Sequence, residues 1–202
     1  MNRSIYFMIC MFMICMMSLI GVSYFTMVRS ERRTQMAISE IHQFMEKRRE
    51  VVKTLLYIAK QKLKSNPTET AWAIERIGEL NAIEATDFLL DNIAFQSPYV
   101  DEPADLYPAM VALILIGYPS VREILYSGFK RERSDLKQKL MAHVIYSVLG
   151  HGYRNRWEVG RRLGRLIIQE HIRSANPPKQ VRERLIKFME KHFPAEKLIK
   201  RR

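Results

Sequence analysis

Residues 108–125 read PAMVALILIGYPSVREIL, and their apolar spacing sets the pattern for much of the chain. Met110, Leu113 and Ile116 form one helical stripe, Gly117-Tyr118-Pro119 breaks it, and Val121, Ile124 and Leu125 form another. Neither stripe is stable in water, so the spacing predicts two short helices folded back as an antiparallel pair. Similar units flank it. Upstream, Ala71, Ile74 and Ile77 lead to Gly78, which marks a turn region, and Ala85, Phe88, Leu89 and Ile93 answer them. Downstream, Leu140, Ile145, Val148 and Leu149 run into Gly150. The three marker glycines are 39 and 33 residues apart, and the longer interval holds QSPYVDEP at 96–103, which has no helical pattern. Helix pairs recurring at this period predict an all-α fold, a short α-solenoid.

On the upstream side, residues 30–64 contain no proline or glycine, and good helix formers dominate. Ile38, Ile41, Met45, Val52, Leu55 and Ala59 form a heptad-like seam broken at Arg48, too short for a coiled-coil dimer. Val52, Leu55, Leu56 and Leu63 are expected to dock on the first repeat. Ser65-Asn66-Pro67 ends the helix, and Thr68 is expected to cap the next one. On the downstream side, residues 156–173 are expected to bury Val159, Leu163, Leu166 and Ile167, with Gly160 and Gly164 admitting a close neighbour. Asn176-Pro177-Pro178 breaks the chain, and Val181, Leu185, Phe188 and Met189 line a closing amphipathic helix.

Residues 5–28 carry no charge and are flanked by Arg3 and by Arg29, Arg32 and Arg33. As a helix they would extend roughly 36 Å, enough to cross a bilayer. The larger basic cluster on the C-terminal side would keep that side cytoplasmic. The alternative is a signal peptide cleaved at Gly21-Val22-Ser23, with export of the remainder. The expected layout is a transmembrane anchor or signal peptide at 1–28, a basic connecting helix at 29–64, repeats at 65–152 and basic capping helices at 153–202.

Charge sharpens this division. Residues 29–64 hold ten Lys/Arg and four Asp/Glu, residues 65–110 one against nine, and residues 111–202 twenty-one against eight. This layout suits an anionic partner for the C-terminal part, or self-association through opposite ends. Within the C-terminal part Arg154, Arg156, Arg161, Arg162 and Arg165, beside Tyr153 and Trp157, are the candidate anion- or partner-binding residues. The competing expectation is a solvent face whose arginines pair with Glu158 and the acidic first repeat. Trp72 and Tyr107 are expected to pack in the core and at its edge.

Cys10 and Cys15 both lie in the apolar N-terminal run, so the rest of the chain has no thiol for a disulfide or metal. The five histidines have no metal-ligand spacing, no phosphate loop or nucleophile elbow occurs, and Gly150-His151-Gly152 reads as a helix C-cap. No catalytic residue, metal or cofactor is expected.

The segments AIERIG at 73–78 followed by Leu89-Leu90, and ALILIG at 112–117 followed by Pro119-Ser120-Val121, resemble HEAT-like repeat proteins, the group that includes the repeats of phycobilisome lyases. The resemblance covers about residues 68–150 and lacks the aspartate common in the inter-helix turn. It implies an α-solenoid and says almost nothing about activity. Together these readings predict a non-enzymatic, membrane-tethered scaffold for protein–protein interaction. The alternatives are an adaptor for lipid headgroups or nucleic acid through the arginine face, and, by resemblance alone, a lyase-like chaperone of a prosthetic group.

Overall fold

The computed structural model describes residues 3–98, 106–131 and 133–195, with side chains described from residue 31 onward. Most of those residues are helical, and no strand occurs among them. The chain divides into two compact units, Met1–Glu50 and Val51–Arg202.

Helix α1 is Arg3–Lys62, and a stretch with a single glycine and no proline gives it no reason to stop earlier. The side chains of the apolar segment 5–28 lie outside the described residues. Among the residues that are described, no single helix is long and apolar enough to cross a membrane. In the first unit Ile38, Ile41 and Met45 of the heptad-like seam are about half exposed. In the second, Val52, Leu55 and Ala59 are buried, while Leu56 and Leu63 are half-buried.

Asn66, not Thr68, caps α2 (Pro67–Glu79). Its carboxamide oxygen accepts from the Glu69 backbone N–H at 3.2 Å, and its Nδ2 donates back to the Glu69 carboxylate at 3.1 Å. Asn66 followed by proline at the first helical position meets both requirements of a helix start, and Thr68 falls inside the first turn. Ala71, Ile74 and Ile77 are buried as expected. Gly78 has a different role from the one the spacing suggested. A Cβ there would lie 2.7 Å from the Ala112 Cα, so the glycine is the point where α2 presses on a later helix. The turn is made by Asn81, whose φ is +49°. A single 3₁₀ turn then leads into α3 (Thr86–Asp91), and Ala85, Leu89 and Ile93 complete that side of the core.

Helix α4 is Pro108–Ile116 and α5 is Tyr118–Glu123, prolonged by a π-helical turn to Gly128. All six stripe positions expected in this stretch are buried, from Ile124 at 0% to Ile116 at 7% exposed. The two axes turn through 110°, so the pair is a corner and not an antiparallel hairpin. Gly117 sets the corner at φ +77°, ψ −140°, and the Ser120 hydroxyl donates to its carbonyl at 2.7 Å.

Helix α6 (Asp135–Leu149) buries Leu140 and Ile145, with Val148 and Leu149 half-buried. Helix α7 (Arg156–Ser174) is rotated from its expected face. Gly160, Gly164, Ile168 and His171 are buried, Val159, Leu163 and Ile167 are half-buried, and Leu166 is 55% exposed. The glycines explain the rotation. A Cβ at Gly160 would lie 2.3 Å from the Tyr146 carbonyl oxygen, and one at Gly164 2.3 Å from the Phe193 ring. A helix brought that close along its glycine row buries the row itself, and its leucines move to the flanks. Helix α8 (Lys179–His192) buries Leu185, Phe188 and Met189 against the same core, and Phe193 just beyond it is fully buried. Packing follows chain order: α2 on α4, α4 on α6, α6 on α7, and α7 on α8.

Candidate binding site: a basic aromatic hollow

The chain leaves α6 through a tight turn in which Gly150 is the crowded position. A Cβ there would lie 1.9 Å from the Arg156 carbonyl oxygen, and its φ is an ordinary −88°. The left-handed conformation expected of a C-cap glycine falls instead on Gly152, at φ +83°. This turn swings the start of α7 back over α6 and leaves a hollow of about 870 Å³ between them and α4. Its floor is aliphatic: Met110 and Leu140 are buried, and Val111 and Ile114 half-buried. Its rim is wet, with Lys139, His151, Tyr153, Arg156 and Trp157 all exposed.

The rim is also one-signed. Among the described residues no Asp or Glu lines the hollow, whereas Lys139 and Arg156 do. Lys139 is shared with Asp135, 3.3 Å away. Arg156 has no carboxylate partner among the described residues and lies over the Trp157 ring, 4.9 Å from its centroid. Trp157 in turn packs on His143 at 5.1 Å. Burial holds the His143 imidazole below its ordinary pKa, and Arg156 adds to the effect.

A second hollow of about 470 Å³ opens on the other side of the His143–Trp157 pair, lined by Tyr146, Arg161, Lys191 and His192. Among the described residues it too has no carboxylate in its lining. Tyr146 is fixed there by donating its hydroxyl to the His192 carbonyl at 3.2 Å and by packing on Phe193 at 5.0 Å. The Nε2 of His192 is buried and has no hydrogen-bond partner among the described residues. Burial lowers the His192 pKa, and Lys191 lowers it further.

The five arginines singled out in the sequence separate. Arg156 borders the first hollow and Arg161 the second, while Arg154 and Arg162 are exposed outside both. Arg165 turns inward instead and donates to the Phe193 carbonyl at 2.7 Å, tying α7 to the end of α8. None of the five makes an ion pair among the described residues, with Glu158 or with the acidic first repeat. Sequence reasoning missed Lys139, His143 and Tyr146. They lie at i, i+4 and i+7 on one side of α6, a spacing hidden among core positions. Tyr107, expected to pack at an edge, borders the larger hollow, and Trp72 is 47% exposed rather than in the core.

Among the described residues no group of His, Cys, Asp and Glu is placed to hold a metal ion. Ser147, His143 and His151 line the same hollow, and no hydrogen bond joins Ser147 to either histidine.

These histidines give a testable pH dependence. His143, His171 and His192 are all held below their ordinary 6.5 by burial, a backbone hydrogen bond to Leu125 opposing the shift at His171. The unfolded chain therefore binds more protons than the folded one as pH drops below 6.5, and stability falls with it. Thermal melting should move to lower temperature between pH 7.5 and 5, with a smaller shift in the His171→Gln variant. A melting temperature flat across that range would contradict the burial of these rings.

No family model, curated protein or solved structure matches the chain.

Proposed function

We propose that the protein is a non-enzymatic, membrane-tethered scaffold whose working surface is the basic aromatic face around Trp157, and that this face engages an anionic lipid surface. The tether is the charge-free segment 5–28, and the helix pairs of residues 65–152 form a short HEAT-like solenoid that carries the face. One observation carries the reading: Arg154, Arg156, Arg161 and Arg162 are exposed with no acidic partner among the described residues, and Arg156 and Arg161 border hollows lined by the exposed Trp157 ring, with exposed Tyr153 beside Arg156 in the larger one. Arginines without acidic partners, set beside rings with an apolar body and a polar edge, suit a headgroup layer.

The test uses the full chain in nanodiscs of zwitterionic lipid, mixed with separate vesicles and floated. Anionic vesicles should carry the protein with them and zwitterionic vesicles should not. Raising salt from 50 to 500 mM should release it, since exposed charges are screened within about 10 Å at 0.1 M. Each exposed basic residue near an anionic surface contributes about 1 kcal/mol. Replacing Arg154, Arg156, Arg161 and Arg162 together by Gln should therefore weaken binding at least a hundredfold. Undiminished binding by that variant would remove the proposal, and salt-sensitive binding to nucleic acid but not to vesicles would reassign the face.

A protein partner is the second reading. It is favoured by Leu115, Tyr118 and Tyr126, which are 51%, 57% and 49% exposed along the α4–α5 corner with Arg122 lying over the Tyr126 ring. Aromatic and arginine side chains of this kind are enriched where interfaces bind most tightly. Crosslinking from position 118 in native membranes should capture one partner, and no adduct above background would count against it.

A further inference from the structure

We propose that the larger hollow is a binding site for a long-chain fatty acid, its aliphatic chain on the floor between α4 and α6 and its carboxylate on Arg156. This rests on the reading that the face around Trp157 recognises anions, and it extends that reading from a surface to a bounded site.

Three observations lead to this ligand. The first is the division between floor and rim. The buried positions, Met110 and Leu140, are aliphatic, and the exposed rim side chains are cationic or aromatic. A ligand that satisfies both must be apolar along its body and negative at one end. The second is the nature of the walls. The floor is built from α4 and α6, helices whose backbone N–H and C=O groups already bond within the helix. A peptide laid along it would bury its own backbone groups without partners, whereas a hydrocarbon chain has none to satisfy. The third is charge. Lys139 is shared with Asp135, and burial disfavours a charge on His143, so among the described residues Arg156 is the fixed cation at the rim without a carboxylate partner. Its planar guanidinium matches a carboxylate in a two-bond fork. One such fork suits a compact monoanionic head, and a volume of about 870 Å³ is in the range of sites that enclose one small ligand.

The experiment is photolabelling of the full chain in its membrane with a fatty acid that carries a diazirine at the far end of its chain. Adducts should map to peptides containing Met110, Ile114 or Leu140. Unlabelled fatty acid should displace the label, and its methyl ester should not. In a series of competing acids, each added methylene should tighten displacement roughly fourfold until the floor is filled. Arg156→Gln should reduce labelling at least tenfold. Ile114→Trp should block it by filling the hollow while leaving the arginines free to bind anionic vesicles, so retained vesicle binding shows that this variant is folded.

Labelling confined to segment 5–28 would overturn the site, as would equal competition by the methyl ester. Displacement by a monoacyl phosphate at lower concentration than by the acid would overturn the carboxylate assignment. If anionic vesicles bind and the floor is not labelled, the fatty-acid site falls while the surface reading stands. If the floor is labelled and vesicles do not bind, the surface reading falls and the pocket stands as a site of its own.

Discussion

Replacing Leu113 with Asp is expected to abolish the cooperative fold of residues 51–195. Leu113 is fully buried in α4, and α4 packs on α2, α3 and α6. Losing the leucine alone costs about 2–5 kcal/mol. A carboxylate in its place has no cation within the buried cluster and adds several kcal/mol more, whether it stays charged or is forced to protonate. Together these are comparable to the about 5–15 kcal/mol that holds a typical domain folded. Because α1 would keep much of the helical signal, hydrogen exchange is the better readout. Amides of α2, α4 and α6 should lose protection together, while Leu113→Met, costing less than about 1.5 kcal/mol, should keep it. Native-like protection in the aspartate variant would mean that the core is not built around α4.

The second large effect separates two glycines on one helix. An exposed helical glycine usually gains about 0.5–1 kcal/mol on becoming alanine. Gly160→Ala should do the reverse. Its Cβ would meet the backbone of Tyr146, 2.3 Å from the carbonyl oxygen and 2.9 Å from the Cα, and a backbone cannot step aside without moving α6 from α7. The Cβ of Gly164→Ala would meet the Phe193 ring at 2.3 Å and the Ile145 methyl at 3.0 Å, side chains with some freedom to turn. The expected loss at Gly160 is about 1–3 kcal/mol, which lowers the melting temperature by roughly 2–10 °C, and the loss at Gly164 is smaller. The α6–α7 contact holds the rim of the larger hollow, so Gly160→Ala should also weaken photolabelling. Equal losses at the two positions would contradict the packing described for α7.

The sequence revealed more of the core than of the surface. Apolar spacing found the buried stripes of α2, α4, α5 and α8, because the strongest burial on each coincides with its most apolar residues. It failed on α7, where the buried row contains two glycines and a histidine. Hydropathy gives such residues little weight, and only the proximity of Tyr146 and Phe193 shows why they are inside. Regular glycine spacing likewise suggested three equivalent turns. Gly78 and Gly150 serve close backbone approach, and Gly117 alone sets a corner. At the candidate site the arginines could be read as a cluster, because charge is visible in composition. Which of them the fold consumes could not, since the Arg165 bond to Phe193 spans 28 residues. The hollow itself was illegible because its floor joins α4 to α6 and its rim includes the α6–α7 turn, about forty residues beyond α4.

The most direct measurement of the central claim is the position of Trp157 relative to an anionic surface. The chain has two tryptophans, so Trp72→Phe leaves Trp157 as the only one. In that variant, held in zwitterionic nanodiscs, added vesicles of anionic lipid bearing a shallow nitroxide should quench the fluorescence, and high salt should restore it. Zwitterionic vesicles with the same nitroxide should have no effect, and Trp72, observed alone in Trp157→Phe, should stay unquenched. Equal quenching of the two tryptophans, or quenching indifferent to lipid charge and salt, would show that the face around Trp157 is not the surface that meets an anionic partner.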